Sequence, residues 1–80
     1  MFGVRHHFID DFPQMSGAIT HLKSSDPIFA QLLSRYDETD KKIYGLEVQS
    51  RPVADIYVGE LKKERLKLKD KLYTILNSKR

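Results

Sequence analysis

The stretch "LKKERLKLKDKLYTIL", residues 61–76, decides the fold because it carries two patterns at once. Six of its sixteen residues are Lys or Arg, while leucines and one isoleucine recur among them. Spacings of three and four residues place side chains on one face of an α-helix. The stretch therefore predicts a helix that packs against a partner helix, and it leaves open whether its basic side chains bind anything.

The composition limits how such a helix is stabilised. The chain has 80 residues, no cysteine and a net charge of +3. A core of this size contributes only about 3–5 kcal/mol, and the absence of cysteine excludes disulfides and thiolate metal sites. We therefore expect a single domain over residues 1–80 that gains further stability by forming a homo-oligomer, either a dimer or a tetramer.

The sequence contains no signal that directs it to a membrane or out of the cell. The first residues lack the apolar run of a signal peptide, and no stretch reaches the length of a membrane span. We expect a cytoplasmic protein that does not bind membranes.

The apolar spacing of the last helix continues over most of the chain. From Phe12 to Glu47, eight of eleven positions spaced by three and four residues are apolar or aromatic, and the spacing resumes from Ala54 to Ile75. A seven-residue repeat predicts helices that cross at a shallow angle, as in a coiled coil.

Prolines divide this pattern into segments. Asp26 can cap a helix that has Pro27 in its first turn, and the continuous heptad phase predicts a bend there between two nearly collinear helices. Pro52 disfavours helical geometry at the residue before it and marks a turn. The predicted organisation is a frayed segment over 1–12, a first helical arm over 13–47 bent near Pro27, a turn over 48–52 and a second arm over 53–77.

A short turn between two long helices makes them antiparallel. The predicted fold class is therefore all-α, an antiparallel helical hairpin resembling a coiled coil, with a short N-terminal helix. When the turn is centred near residue 50, apolar positions of the two arms face each other. The predicted hairpin core is Phe29, Leu33, Tyr36, Ile43, Leu61, Leu68, Leu72 and Ile75.

Two charged residues, Asp40 and Arg65, lie on the apolar stripe. One interpretation is a buried polar layer that links Asp40 with Arg65 or Lys62 and fixes the register and oligomeric state of the hairpin. The other interpretation is that both side chains reach water at the edge of a thin interface.

A second apolar stripe lies away from the contact between the two arms, at Leu66, Tyr73 and Leu76. Exposed apolar patches on small soluble proteins usually mark contacts, so we expect this stripe to form the oligomer face. The alternative is that the short first helix folds back over the stripe and makes a three-helix unit.

No constellation of residues favours catalysis. The three histidines have no partner at a spacing typical of a metal site, and a helical hairpin leaves little room for a ligand cleft. We expect no enzyme activity, no cofactor, no metal and no small-molecule substrate.

The basic residues of the last helix offer a second possible function. They surround the helix instead of forming one stripe, arginine is scarce, and lysine-rich outer faces are common on solvated helices. We therefore expect a non-enzymatic interaction protein that self-associates and binds protein partners. The alternative is an accessory nucleic-acid-binding protein, with phosphate contacts from Lys62, Lys63, Lys67, Lys69 and Lys71.

Three segments resemble the YdcH-like family of small bacterial proteins, a domain of unknown function. They are "DPIFAQLLSRY" (26–36), "TDKKI" (39–43) and the stretch 61–76. The family pattern opens with Asn/Asp-Pro-x-Phe, continues with Leu-Asp-x-x-Ile, where this chain has Thr39 instead of Leu, and ends with Lys-Lys-x-x-Leu-x-Leu-Lys-Asp. The resemblance implies a helical hairpin from a bacterium, and it implies no activity and no catalytic residues.

Overall fold

The computed structural model describes residues 5, 7–49 and 55–78, and within these ranges the chain is helical and contains no strand. It begins with two short elements, α1 and a 3₁₀ turn, which lead into α2 and then into two long helices. The bounds are α1 Phe8–Asp11, the 3₁₀ turn Pro13–Met15, α2 Ser16–Ser25, α3 Pro27–Gln49 and α4 Asp55–Ser78.

The two long helices form the predicted antiparallel hairpin. Ion pairs join Asp40 of α3 to Arg65 of α4 and Glu47 to Lys62, so residue numbers rise along one helix as they fall along the other. Helix α3 continues to Gln49, two residues into the predicted turn. The rest of that turn, with Pro52, lies outside the described residues.

Most of the predicted hairpin core is buried. Ile43 and Leu61 form a small cluster with Val58 near the turn, and the other buried members belong to the main core. Ile75 is the exception, because it is only partly buried, and Leu76 is fully buried one position further on. Leu76 belongs to the core because α2 packs at this end of the hairpin and contributes Ile19 and Leu22 to the same cluster.

Helix α3 begins as its sequence predicts. Asp26 has an extended backbone, with φ −118° and ψ 105°, and separates α2 from α3. Its carboxylate accepts hydrogen bonds from the backbone N–H groups of Ile28 (3.0 Å) and Phe29 (3.2 Å). These bonds satisfy donors that the first turn of a helix leaves unpaired.

The chain before Asp26 runs back along the hairpin. We call Arg5 and residues 7–25 the N-terminal segment. Arg5 contacts Asp40 near the middle of α3, whereas Ile19 and Leu22 share the core with Phe29 near its start. The prediction of a nearly collinear first arm is therefore wrong. A straight helix over 13–47 would be about 52 Å long, more than the 42 Å longest dimension of the molecule.

The N-terminal segment is also more ordered than the frayed segment predicted over 1–12. Phe8 opens α1 and is only 1% exposed, because its ring lies against α3. Phe12 connects α1 to the 3₁₀ turn and is partly buried. The prediction is wrong for residues 8–12, since contacts with the hairpin hold a helix that is too short to be stable alone. Residues 1–4 and 6 lie outside the described residues.

Candidate functional site

Asp40 is the most deeply buried charged residue in the described part of the chain, with 1% of its surface exposed. Each of its carboxylate oxygens accepts one hydrogen bond from an arginine. Nη1 of Arg65 lies 2.7 Å from Oδ1, and Nε of Arg5 lies 2.6 Å from Oδ2. Hydrogen bonds between ionised groups are stronger than neutral ones. The carboxylate therefore ties together the N-terminal segment, α3 and α4.

The structure brings Asp40 and Arg65 together, as the polar-layer interpretation requires. Burial of Asp40 rules out the alternative in which its side chain reaches water. Lys62, the other cation considered for this layer, instead places its Nζ 2.9 Å from Oε2 of Glu47, whose side chain is 5% exposed. The hairpin thus contains two buried carboxylates, each neutralised by a cation of α4.

Aromatic rings attach the N-terminal segment to the hairpin beside this ion pair. The Phe8 ring lies edge-on to Tyr36 and Phe29, with centroids 5.9 and 6.4 Å apart. The Phe12 ring stacks on Tyr73 at 5.3 Å. Sequence reasoning missed Arg5 and Phe8 because it started the heptad pattern at Phe12. The four-residue spacing between the two phenylalanines was the signal that could have extended the pattern.

The structure separates the three residues of the predicted oligomer face. Leu76 is 0% exposed and lies in the core, so its assignment to an oligomer face is wrong. Tyr73 is partly covered by Phe12. Leu66 is 59% exposed. The alternative interpretation was that the short first helix folds back over the stripe. It is correct for the end of the stripe at Tyr73 and Leu76, but Leu66 is not covered.

The environment of Tyr36 changes its acidity. Burial raises the pKa of the Tyr36 hydroxyl to about 12, with smaller contributions in the same direction from Asp11 and Asp40, while Arg65 opposes the shift. Tyr36 is therefore protonated throughout the physiological pH range and packs as a neutral ring against Phe8.

The structure sorts the lysines of α4 into two groups. On the side of the N-terminal segment, Lys69 pairs with Asp11 at 2.9 Å, as Lys62 does with Glu47. On the other side, Lys63 makes only an exposed 3.7 Å contact with Glu60, and the described part of the chain offers no ion pair to Lys67 or Lys71. Lys79 and Arg80, which add charge to the sequence, lie outside the described residues.

A groove of about 520 Å³ lies between α3 and α4 on this second side, and no residue of the N-terminal segment lines it. We call it the cationic groove. Its apolar floor includes Leu61 and Leu68, and Glu60 and Glu64 are its acidic lining residues. Its basic lining residues are Arg35, Lys42, Lys63, Lys67 and Lys71.

No group of three or more His, Asp or Glu side chains in residues 5, 7–49 and 55–78 is arranged to hold a metal ion. None of the helices in those ranges combines the length and the apolar character needed to cross a lipid bilayer.

Comparison with protein-family models matches residues 29–76 to the family described as Protein of unknown function (DUF465). This range is more than half of the chain. The chain belongs to the DUF465 family. The match is consistent with the YdcH-like resemblance, and it contains Asp40, Arg65 and the whole cationic groove, whereas Arg5 and Phe8 precede it. Comparisons with curated proteins and with solved structures found no match.

Proposed function

We propose that this DUF465 protein is a non-enzymatic helical interaction protein that associates with its own copies and with other proteins. The observation that carries the proposal is a set of large apolar side chains left exposed on the face where the N-terminal segment lies. They are Tyr44, Val48 and Leu66, which are 37%, 57% and 59% exposed. We call them the uncovered face.

Helical geometry accounts for their position. Tyr44 and Val48 follow Asp40 at intervals of four residues, so they extend the side of α3 that Arg5 contacts. Leu66 lines a shallow depression with Asp11 and Tyr36, at the edge of the region that the N-terminal segment covers. The segment thus closes one part of this face and leaves apolar side chains beside it.

Energetics favour the covering of this face by a second copy. Full burial of a Leu, Val or Phe side chain contributes about 1.5–3 kcal/mol. The core of a chain this small supplies only about 3–5 kcal/mol by itself. Leu66 and Val48 are already partly covered, so their burial between two copies adds a fraction of the full-burial value, which is a useful contribution for a chain this small.

The experiment is a measurement of molar mass by sedimentation equilibrium and light scattering, from about 5 to about 500 µM protein. Leu66→Glu places a charge on the uncovered face and is expected to weaken self-association at least about tenfold, which corresponds to about 1.4 kcal/mol. Ile28→Glu is the matched control, because Ile28 is 65% exposed in the first turn of α3, where an acidic residue is tolerated.

Far-UV circular dichroism verifies that both variants are folded. A parent protein that is monomeric at every concentration contradicts the proposal. So does an equal loss of association in the two variants, because it would show a general effect of added negative charge.

A further inference from the structure

We propose that the cationic groove binds an acidic amphipathic helix from a protein partner. The inference rests on the proposed function as an interaction protein, and it names the chemistry of one partner and the surface that receives it. This surface is separate from the uncovered face, since the two lie on different sides of the hairpin.

A two-helix hairpin has two long grooves, and residues 5, 7–49 and 55–78 fill only one of them. The N-terminal segment occupies the first groove with Phe8, Ile19 and Leu22, which are all buried. No residue in these described ranges occupies the second groove. A helix in the second groove would complete the packing of α3 and α4 on both sides.

The floor of the cationic groove is apolar over a length that suits a helix. Leu61 and Leu68 lie at its base, and Tyr57 is a half-exposed aromatic residue at one end. A neighbouring depression of about 410 Å³ continues past Lys71 to Leu32 and Ile75. From residue 57 to residue 75, α4 rises about 27 Å, which is the length of a five-turn helix.

The charges above this floor select an acidic occupant. Five basic residues against two acidic ones leave a net charge of +3 in the groove lining, and Asp70 in the neighbouring depression lowers it to +2 over the whole site. Glu64 and Glu60 contact Arg35 and Lys63 at 3.7 Å, and exposed pairs of this kind contribute little. Lys67 and Lys71, one helical turn apart, have no carboxylate partner in the described ranges. Carboxylates of a partner helix would pair with them.

The first groove already holds an occupant that combines a carboxylate with an adjacent apolar residue. There, Asp11 pairs with Lys69 of α4 at 2.9 Å, while Phe12, the next residue, stacks its ring on Tyr73. An occupant of the second groove with carboxylates beside apolar residues would repeat the arrangement. Nucleic acid fits less well, because phosphates gain nothing from an apolar floor and Glu60 and Glu64 would repel them.

The test uses a fluorescent synthetic helix of about 18 residues, which spans about 27 Å. Leucines are spaced by three and four residues on one face, with glutamates on both flanks. A peptide of the same composition in scrambled order, and one with glutamine in place of glutamate, are the ligand controls. Binding is measured by fluorescence anisotropy with the full-length protein, and only the first peptide is expected to bind.

The protein variant is Lys67→Glu with Lys71→Glu, and the matched control is Lys23→Glu with Lys41→Glu, two exposed lysines that do not line the groove. We expect the groove variant to weaken binding at least about tenfold and the control less than about threefold, on a scale where tenfold is about 1.4 kcal/mol. A peptide with lysines in place of its glutamates should bind the groove variant better than it binds the parent.

Several outcomes would overturn the inference. These are no binding of the acidic peptide, equal losses in both double variants, or no loss when glutamate becomes glutamine. A fourth is tight binding of a mixed-sequence duplex DNA or single-stranded RNA. If this binding is salt-sensitive, exceeds peptide binding and is lost in the groove variant, the groove is a nucleic-acid surface.

The experiment separates this inference from the proposed function. Leu66→Glu should weaken self-association and leave peptide binding intact, whereas the groove variant should weaken peptide binding and leave self-association intact. Failure of peptide binding with self-association intact contradicts only the partner chemistry.

Discussion

Asp40→Asn removes the negative charge that holds the N-terminal segment, α3 and α4 together and keeps the shape of the side chain. The substitution replaces one of the two acceptor oxygens, which accept at 2.6 and 2.7 Å, with an NH2 group that cannot accept from an arginine. It also leaves Arg65 without this counter-charge, although its side chain is only 17% exposed. Breaking a buried ion pair from one side costs about 3–5 kcal/mol. Arg5 adds less, because 32% of its side chain already contacts water.

This loss is large for a protein of this length. At about 0.05–0.15 kcal/mol per residue, the free energy of unfolding of 80 residues is about 4–12 kcal/mol. We therefore expect Asp40→Asn to lower the urea midpoint by about 2 M or more, at an m-value of about 1–1.5 kcal/mol/M. Urea titration followed by far-UV circular dichroism measures this shift.

Two further variants make the measurement decisive. Glu64→Gln breaks the exposed 3.7 Å pair with Arg35 and should change stability by less than about 0.5 kcal/mol. Asp40→Leu combined with Arg65→Met removes both buried charges and should recover most of the loss, because apolar replacements of a buried ion pair are tolerated. If Asp40→Asn costs no more than Glu64→Gln, the buried carboxylate does not stabilise the junction.

Leu76→Ala should lower the free energy of unfolding by about 2–5 kcal/mol, because Leu76 is fully buried, whereas Leu66→Ala at an exposed position should lower it by less than about 1 kcal/mol; equal losses in urea titration would contradict this assignment. Burial raises the pKa of Tyr36 from its ordinary value of 10.0 to about 12, so the folded state keeps the proton to higher pH than the unfolded state. About 2–3 kcal/mol of stability that is present below pH 10 is therefore lost as the pH rises to 12. Urea titrations at about pH 9 and about pH 11 should show a smaller loss for Tyr36→Phe than for the parent, and identical losses would refute the shift. Gly59→Ala should raise the free energy of unfolding by about 0.5–1 kcal/mol, because a Cβ there meets nothing within 4 Å, and an unchanged or lower thermal midpoint would contradict it.

The hairpin could be predicted from the sequence because its contacts repeat with the period of the helix. Phe29, Leu33, Leu68 and Leu72 each fall on a seven-residue repeat, which is enough to place them on the faces by which the two long helices pack together. The start of α3 could be predicted as well, since Asp26 accepts hydrogen bonds from the first N–H groups of the helix that it precedes. Both features are encoded within a few residues of where they act.

The N-terminal segment could not be predicted in this way. Helix α1 has four residues, too few to show a period, and the burial of Phe8 depends on α3. When only the two long helices are considered, Leu76 is expected to face outwards, and nothing distinguishes Lys69 from the other exposed lysines of α4. The two sides of α4 differ largely because the N-terminal segment covers one of them.

The register function of the Asp40–Arg65 layer stays a prediction. Both carboxylate oxygens are occupied by arginines of the same chain, so the layer is complete within one copy. We therefore expect Asp40 substitutions to act first on the stability of a single copy, and to alter self-association only through the loosening of the N-terminal segment.

The packing of Phe8 has a consequence for synthesis of the chain. Phe8 and Phe12 are translated well before Leu76, which follows Phe8 by 68 positions and completes the core that includes them. At about 5–20 residues per second, about 3–14 s pass between the synthesis of Phe8 and that of Leu76. During that interval the rings of Phe8 and Phe12 are available to chaperones and to neighbouring nascent chains, so the native packing of the N-terminal segment forms only after Leu76 has been synthesised.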